Sequence, residues 1–222
     1  GAFVREGVDM NDKGLTEVRV ALMCRDEDPV DPNDWDNGKI TLFGRGGASR
    51  EHLFALGLGE CEDEGDEQIM ADPFARAISV YDHSGLALWR MDAAHGYCQH
   101  AAWDTTRVGG IWVADDSERD EFAGYAAKIL ATGSAVYAGQ TYGTLAAIVN
   151  CYADNDIATY QQYVNGEVYG YIVTDFRRNA AGRWVEWDVL DSCWGYFGYD
   201  YATEDIANEI AYLFRDPAPV NA

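Results

Sequence analysis

The sequence predicts an α+β fold: a mainly antiparallel sheet packed with two to four helices, in a single domain spanning residues 1–222. Three observations point there. Short apolar stretches alternate with polar residues, or run β-branched and aromatic between turn signals, as strands do. Two longer segments carry apolar residues at helical spacing behind capping residues. The two kinds of element come in mixed blocks with no βαβ repeat and no phosphate fingerprint, which points away from a parallel, doubly wound sheet.

Thr16 to Cys24 sets Val18, Val20 and Leu22 against Arg19 and Ala21, a strand with one buried face. An acidic loop follows, in which Asp26, Glu27, Asp28, Asp31, Asp34 and Asp36 are interrupted by Pro29 and Pro32. Neither a helix nor a central strand runs through those prolines. Lys39 to Phe43 reads as a second strand. Gly44, Gly46 and Gly47, with Arg45 and Arg50, form a turn that lacks the Gly-Lys-Ser/Thr ending of a P-loop. Ser49 to Leu58 predicts a short helix, followed by a second acid run at Glu60, Glu62, Asp63, Glu64, Asp66 and Glu67. That run has neither the alternating oxygen ligands nor the distant closing Glu of a calcium loop, so it reads as solvated or partner-facing.

Ala77 to Tyr81 and Leu86 to Met91 flank Asp82-His83-Ser84-Gly85 as a hairpin, and Gly109 to Ala114 adds a strand. Ser117-Glu118-Arg119-Asp120 has the form of a capping box, and Phe122, Tyr125, Ala126, Ile129 and Leu130 recur behind it, predicting a helix over 118–131. A longer helix runs from Thr144 to Val164 and stops at Gly166. Glu167 to Phe176 and Arg183 to Val189 form an aromatic-rich hairpin around a polar turn, and Thr203 caps a last helix that ends before Pro217. Asp191 to Gly198 reads as the joint between that hairpin and that helix, with Trp194 in the core and Gly195 or Gly198 at positive φ.

With 48% hydrophobic and 13% aromatic residues the chain is composed to fold, despite a formal net charge of -22. No apolar run reaches 18 residues and the first residues do not form a signal peptide, so the expectation is a cytoplasmic protein with no membrane partner. The five cysteines are odd in number, widely spaced and without a C-x-x-C pair, which indicates neither a disulfide framework nor a structural zinc site. No cofactor is implied. The 38 acidic residues against 16 basic ones admit three readings: a solvated surface, an acid-biased proteome, or a surface that imitates nucleic-acid phosphates. The same charge argues against direct nucleic-acid binding, because aromatic readers of single strands work inside basic grooves.

Three residues are candidates for chemistry. Cys193 is a nucleophile if His83 serves as its base and Asp82, Asp104 or Asp191 orients the imidazole. No cysteine-hydrolase signature surrounds it, and a packing thiol is the plainer reading. His83 with Asp104, or His95 and His100 nearby, offers metal-ligand types without metal-site spacing. A turn histidine whose ring hydrogen-bonds the backbone is the plainer reading of His83.

In order along the chain, Tyr81-Asp82-His83-Ser84-Gly85, Trp103-Asp104 with Val108-Gly109-Gly110-Ile111-Trp112-Val113, Gly166-Glu167-Val168-Tyr169-Gly170-Tyr171 and Asp191-Ser192-Cys193-Trp194-Gly195-Tyr196-Phe197-Gly198 resemble an uncharacterised family of bacteriophage and mobile-element proteins. The resemblance covers about residues 76–200 and implies a mobile-element accessory protein, with no established activity. Charge and resemblance together set the expectation: an acidic inhibitor of a host nucleic-acid-handling defence protein, of anti-CRISPR or anti-restriction type, acting as a DNA mimic on a basic surface. The two acid runs, 26–36 and 60–67, are the expected partner-binding residues, and no catalytic residue is expected. A small hydrolase or metalloenzyme using His83, Asp104 and Cys193 is the alternative.

Overall fold

The computed structural model describes residues 2–3, 17–43, 72–83, 85–93 and 104–214. Strands β1 (Ala2–Phe3) and β2 (Glu17–Arg25) open the chain. Strands β3 (Gly38–Leu42), β4 (Ala75–Asp82), β5 (Leu86–Arg90) and β6 (Thr105–Ala114) follow. Helix α1 (Asp116–Thr132), strands β7 (Ala135–Tyr137) and β8 (Gln140–Tyr142), and helix α2 (Leu145–Val164) come next. Strands β9 (Val168–Arg178) and β10 (Trp184–Phe197) then lead into helix α3 (Tyr199–Ile210). The fold is α+β, and every strand pairing among the described residues is antiparallel. By its contacts the chain divides into two compact units, Gly1–Val30 with Gly166–Ala222, and Asp31–Asn165. The expected helix at 49–58, the glycine turn at 44–50, the acid run at 60–67, and His95 and His100 lie outside the described residues.

The first unit is a sheet in the order β1-β2-β9-β10 with α3 on one face. Its core joins Ala21 and Met23 of β2, Tyr169, Tyr171 and Val173 of β9, Tyr196 of β10, and Ala202, Ile206 and Ile210 of α3. Val18 is buried as expected, at 7% exposure, but from there on Ala21 and Met23 take the core face in place of Val20 and Leu22, and Leu22 is 43% exposed. Val18 to Leu22 fits either face by alternation alone. Pairing of Ala21 with Val173 and Met23 with Tyr171 decides it, because those partners carry the core. On the same face, the Arg19 guanidinium grips Asp175 through two bonds of 2.7 and 2.9 Å.

The segment 191–198 is strand rather than joint. Strand β10 continues to Phe197 through three register shifts, and α3 starts four residues before the expected cap. Gly198 is the N-cap, at φ +83, and Gly195 also has positive φ, at +88. Thr203 lies inside the helix and donates its hydroxyl to the Tyr199 carbonyl at 2.8 Å, the usual back-bond of a mid-helix Thr. Trp194 is outside the core, 44% exposed. Its indole lies across Gly170, where any Cβ would collide with the ring.

The second unit is a sheet in the order β3-β6-β4-β5, with α1 and α2 on one face. Ile40, Ile78, Leu88 and Trp112 meet Phe122 of α1 and Ile148, Val149, Tyr152 and Ile157 of α2. Helix α1 starts after Asp115 rather than Ser117 and ends at Gly133, φ +83. Helix α2 keeps the expected bounds: Thr144 caps Ala147 N–H at 3.3 Å, and Gly166 has φ +67. The tight hairpin β7–β8 was not expected, because its strands have three residues and its turn, Ala138-Gly139, lacks the Asn-Gly signature.

The open edge of β5 is closed by side chains from the last turn of α2. Asn165 accepts from Leu86 N–H and donates to Leu86 C=O, both at 2.8 Å, and Gln161 accepts from Leu88 N–H at 2.7 Å. An exposed strand edge is thereby satisfied without another strand. No described helix is long and apolar enough to cross a membrane.

Candidate functional site

The first acid run resolves into residues that build a loop and residues that face solvent. Asp26 accepts from Asp28 N–H at 3.2 Å. Asp31 caps the 3-10 turn Pro32–Asp34 by accepting from Asn33 N–H at 2.9 Å. Asn33 then pins the turn to β3, accepting from Ile40 N–H at 2.7 Å and donating to Ile40 C=O at 3.0 Å. Glu27, Asp28 and Asp34 are exposed, whereas Asp26, Asp31 and Asp36 are half-buried.

Tertiary structure adds a second acid segment in the unit that holds 31–36. Asp115 N–H donates to Asn37 C=O at 3.0 Å, which seats the start of α1 beside the 31–36 turn. Asp115, Asp116, Glu118, Asp120 and Glu121 fall within seven residues there. Of these, Asp116, Asp120 and Glu121 are exposed. Glu121 also accepts from the hydroxyls of Tyr125 and Tyr152, at 2.8 and 3.2 Å.

Beneath both segments lies Asp156 of α2, 2% exposed. Its carboxylate accepts from the Trp112 indole at 2.7 Å and from the Asn37 amide at 2.8 Å. The backbone N–H groups of Asn37 and Gly38 also favour its charged form. Gly38 is required at its position, since a Cβ would strike the Trp112 ring. Burial raises the pKa of Asp156, with the donors working against that shift. Asp36 feels the consequence: burial first, then Asp156 and Asp31, push its pKa up to about 7. Glu118 is raised too, by burial and then by Glu121, Asp156 and Asp115. The cluster therefore holds carboxylates closely enough to resist joint ionisation, and its field favours cations and basic side chains.

The remaining sequence candidates fall in different units. His83 Nδ1 lies 3.3 Å from Asp104 in the second unit, with side-chain exposures of 67% and 41%. In the β4–β5 turn the His83 main-chain N–H donates to Gly85 C=O at 3.5 Å, while its ring lies by Asp104 rather than on the backbone as the turn reading expected. Cys193 belongs to the first unit, opposite Tyr171 in the β9–β10 ladder, and packs against the core beneath α3. Its thiol lies 3.8 Å from Trp194 C=O. Asp191 accepts instead from the hydroxyls of Tyr171 and Tyr212, at 3.0 and 3.3 Å. Among the described residues, no group of three or more His, Cys, Asp or Glu side chains is placed to hold a metal ion.

Sequence reasoning missed the 115–121 segment as part of the acidic site because Ser117 to Asp120 was read for its capping pattern. Its density of carboxylates was the available signal. The role of Asp156 carried no such signal, since a lone Asp in an apolar helical stripe does not show which donors reach it. No family model matches the chain, and neither the curated proteins nor the solved structures compared with it give a match.

Proposed function

We propose that this protein is an acidic binding module: a phage or mobile-element accessory protein that occupies the basic nucleic-acid-binding surface of a host defence protein in the host cytoplasm. The observation that supports this reading is the meeting of two acid segments, 31–36 and 115–121, over the buried Asp156. A net charge of -22 and exposed carboxylates at Asp34, Asp116 and Asp120 give such a module long-range attraction for basic channels. Direct binding to nucleic acid is opposed by the same charge. The origin rests on the motif resemblance. The hydrolase alternative retains one supporting feature, the exposed His83–Asp104 pair.

Capture from bacterial lysate with the purified chain tests the reading. Proteins that bind nucleic acid should be retained, should be released by added duplex DNA, and should be lost when Asp34, Asp116 and Asp120 become Asn. Retention that survives both the substitutions and the DNA, or no retention at low salt, overturns it.

A further inference from the structure

A pocket of about 390 Å³ lies in the second unit, on the side of the sheet where β4 begins. Strand β5 pairs with β4 only as far as the Ile78–Arg90 step, so Ala75–Ala77 extends past it, and the pocket opens there against the first turn of α2. Met91 and Leu145 contribute apolar wall, and Arg76, Asp72, Asp92 and Asn150 contribute polar groups. The volume is that of a small-molecule site.

The charges in this pocket are unevenly matched. Arg76 donates to the Asn150 amide at 2.6 Å, to the carbonyls of Pro73 and Ala75 at 2.9 and 2.6 Å, and to that of Ala146 at 3.4 Å. All four partners are neutral. Arg19, Arg90, Arg119 and Arg177 each meet a carboxylate. Burial lowers the pKa of Arg76 and neighbouring Arg90 adds to that, while Asp92, Asp72 and Asp154 act against it without direct contact. Arg90, its diagonal neighbour, takes two carboxylates, Asp92 and Asp154. Asp92 is 51% exposed and engages Arg90 through one oxygen, Oδ1. Asp72 is already engaged by Phe74 N–H and Arg119.

We propose that this pocket binds a small zwitterion, an apolar amino acid or dipeptide, with its carboxylate on Arg76 and its ammonium on Asp92. Such a ligand brings a carboxylate to a guanidinium whose four hydrogen bonds all go to neutral acceptors, and an ammonium to Asp92, whose contact with Arg90 is through Oδ1. It leaves the local charge unchanged. Its apolar side chain meets Met91 and Leu145, and the positive end of α2 favours its carboxylate. A phosphate would face two carboxylates, and a simple amine would face two guanidinium groups.

NMR titration of the full chain with leucine, leucyl-leucine, 4-methylpentanoate and isoamylamine tests this. Leucine or leucyl-leucine should shift resonances around Arg76 and Asp92, and each single-charge analogue should bind at least about tenfold more weakly. Asp92→Asn should weaken leucine by at least about tenfold without weakening 4-methylpentanoate, from which it removes a like charge, and Arg76→Lys should weaken both. Substituting Asp34 and Asp116 should leave leucine binding intact, which separates this site from the acidic cluster. Three results each overturn the proposal: no shift with either zwitterion at about 10 mM, equal binding of all four compounds, or unchanged leucine affinity in folded Asp92→Asn. The analogue series uses the unaltered protein, so it decides the matter even if Arg76→Lys fails to fold.

Discussion

Trp112 donates its indole N–H to the carboxylate of Asp156 across 2.7 Å, and both side chains are almost completely buried. The pair joins the central strand of one sheet to the helix that covers it. Because the Asn37 amide and the Trp112 indole donate to different carboxylate oxygens, the site demands an acceptor at both positions. Asp156→Asn places an NH₂ group against those donors and should cost about 1–3 kcal/mol, the penalty of a buried polar group left unmatched. Asp156→Ala leaves the donors without a partner and should cost at least as much. Urea denaturation midpoints measure both; a variant as stable as the parent would show that the buried carboxylate is dispensable.

Asp36 should give the protein a pH dependence. Its pKa is raised from 3.8 to about 7, so the folded state holds the proton more tightly than the unfolded chain does. The contribution is complete below the ordinary Asp range and is lost as pH rises toward about 7. Asp36→Asn, which stays neutral, should remove this slope. Its advantage over the parent at about pH 8 should be about 1–2 kcal/mol, after allowance for solvent screening. Parallel stability profiles for parent and variant between about pH 4 and about pH 8 would refute the assignment.

Asn165 and Gln161 should behave as covers for a sheet edge. Asn165→Ala removes both bonds to Leu86, and Gln161→Ala removes the bond to Leu88 N–H. Each should destabilise by about 1–3 kcal/mol. The double variant should also associate through the bared edge of β5. Asn165→Asp makes a sharper probe, since a carboxylate accepts from Leu86 N–H yet cannot donate to Leu86 C=O. Light scattering together with thermal midpoints follows both effects, and monomeric variants of unchanged midpoint would count against an edge-covering role.

Trp194 and Gly170 form a coupled pair. With 44% of its surface exposed, Trp194 should cost only about 1–2 kcal/mol on replacement by Ala, below the penalty for a fully buried ring. Gly170→Ala forces the indole away and should cost about 1–3 kcal/mol. In the double variant the collision with the ring is gone and only that with the Cys193 carbonyl at 2.7 Å remains, so the combined loss should be smaller than the sum of the two single losses. Strict additivity in that cycle would mean that the ring does not press on the glycine.

Residue pattern by itself determined the antiparallel α+β class, the β4–β5 and β9–β10 hairpins, and the limits of α2 from Thr144 to Gly166. These are local matters: alternation, turn chemistry and capping act over a few residues, and capping at Thr144 needs no distant partner. Tertiary structure decided what depends on partners far along the chain. The buried face of β2 was set by pairing with Tyr171 and Val173. The positive φ of Gly195 was legible from its type, but the course of β10 through 191–197 followed from an eleven-residue partner, β9. The division into two units follows from the same ladder, because β2 pairs with β9 across the whole intervening segment 31–165. At the acidic cluster, the sequence supplied carboxylates at 31–36 and 115–121. Only the fold brought those runs together over Asp156, because burial and the convergence of donors from separate elements leave no trace in the spacing of a chain.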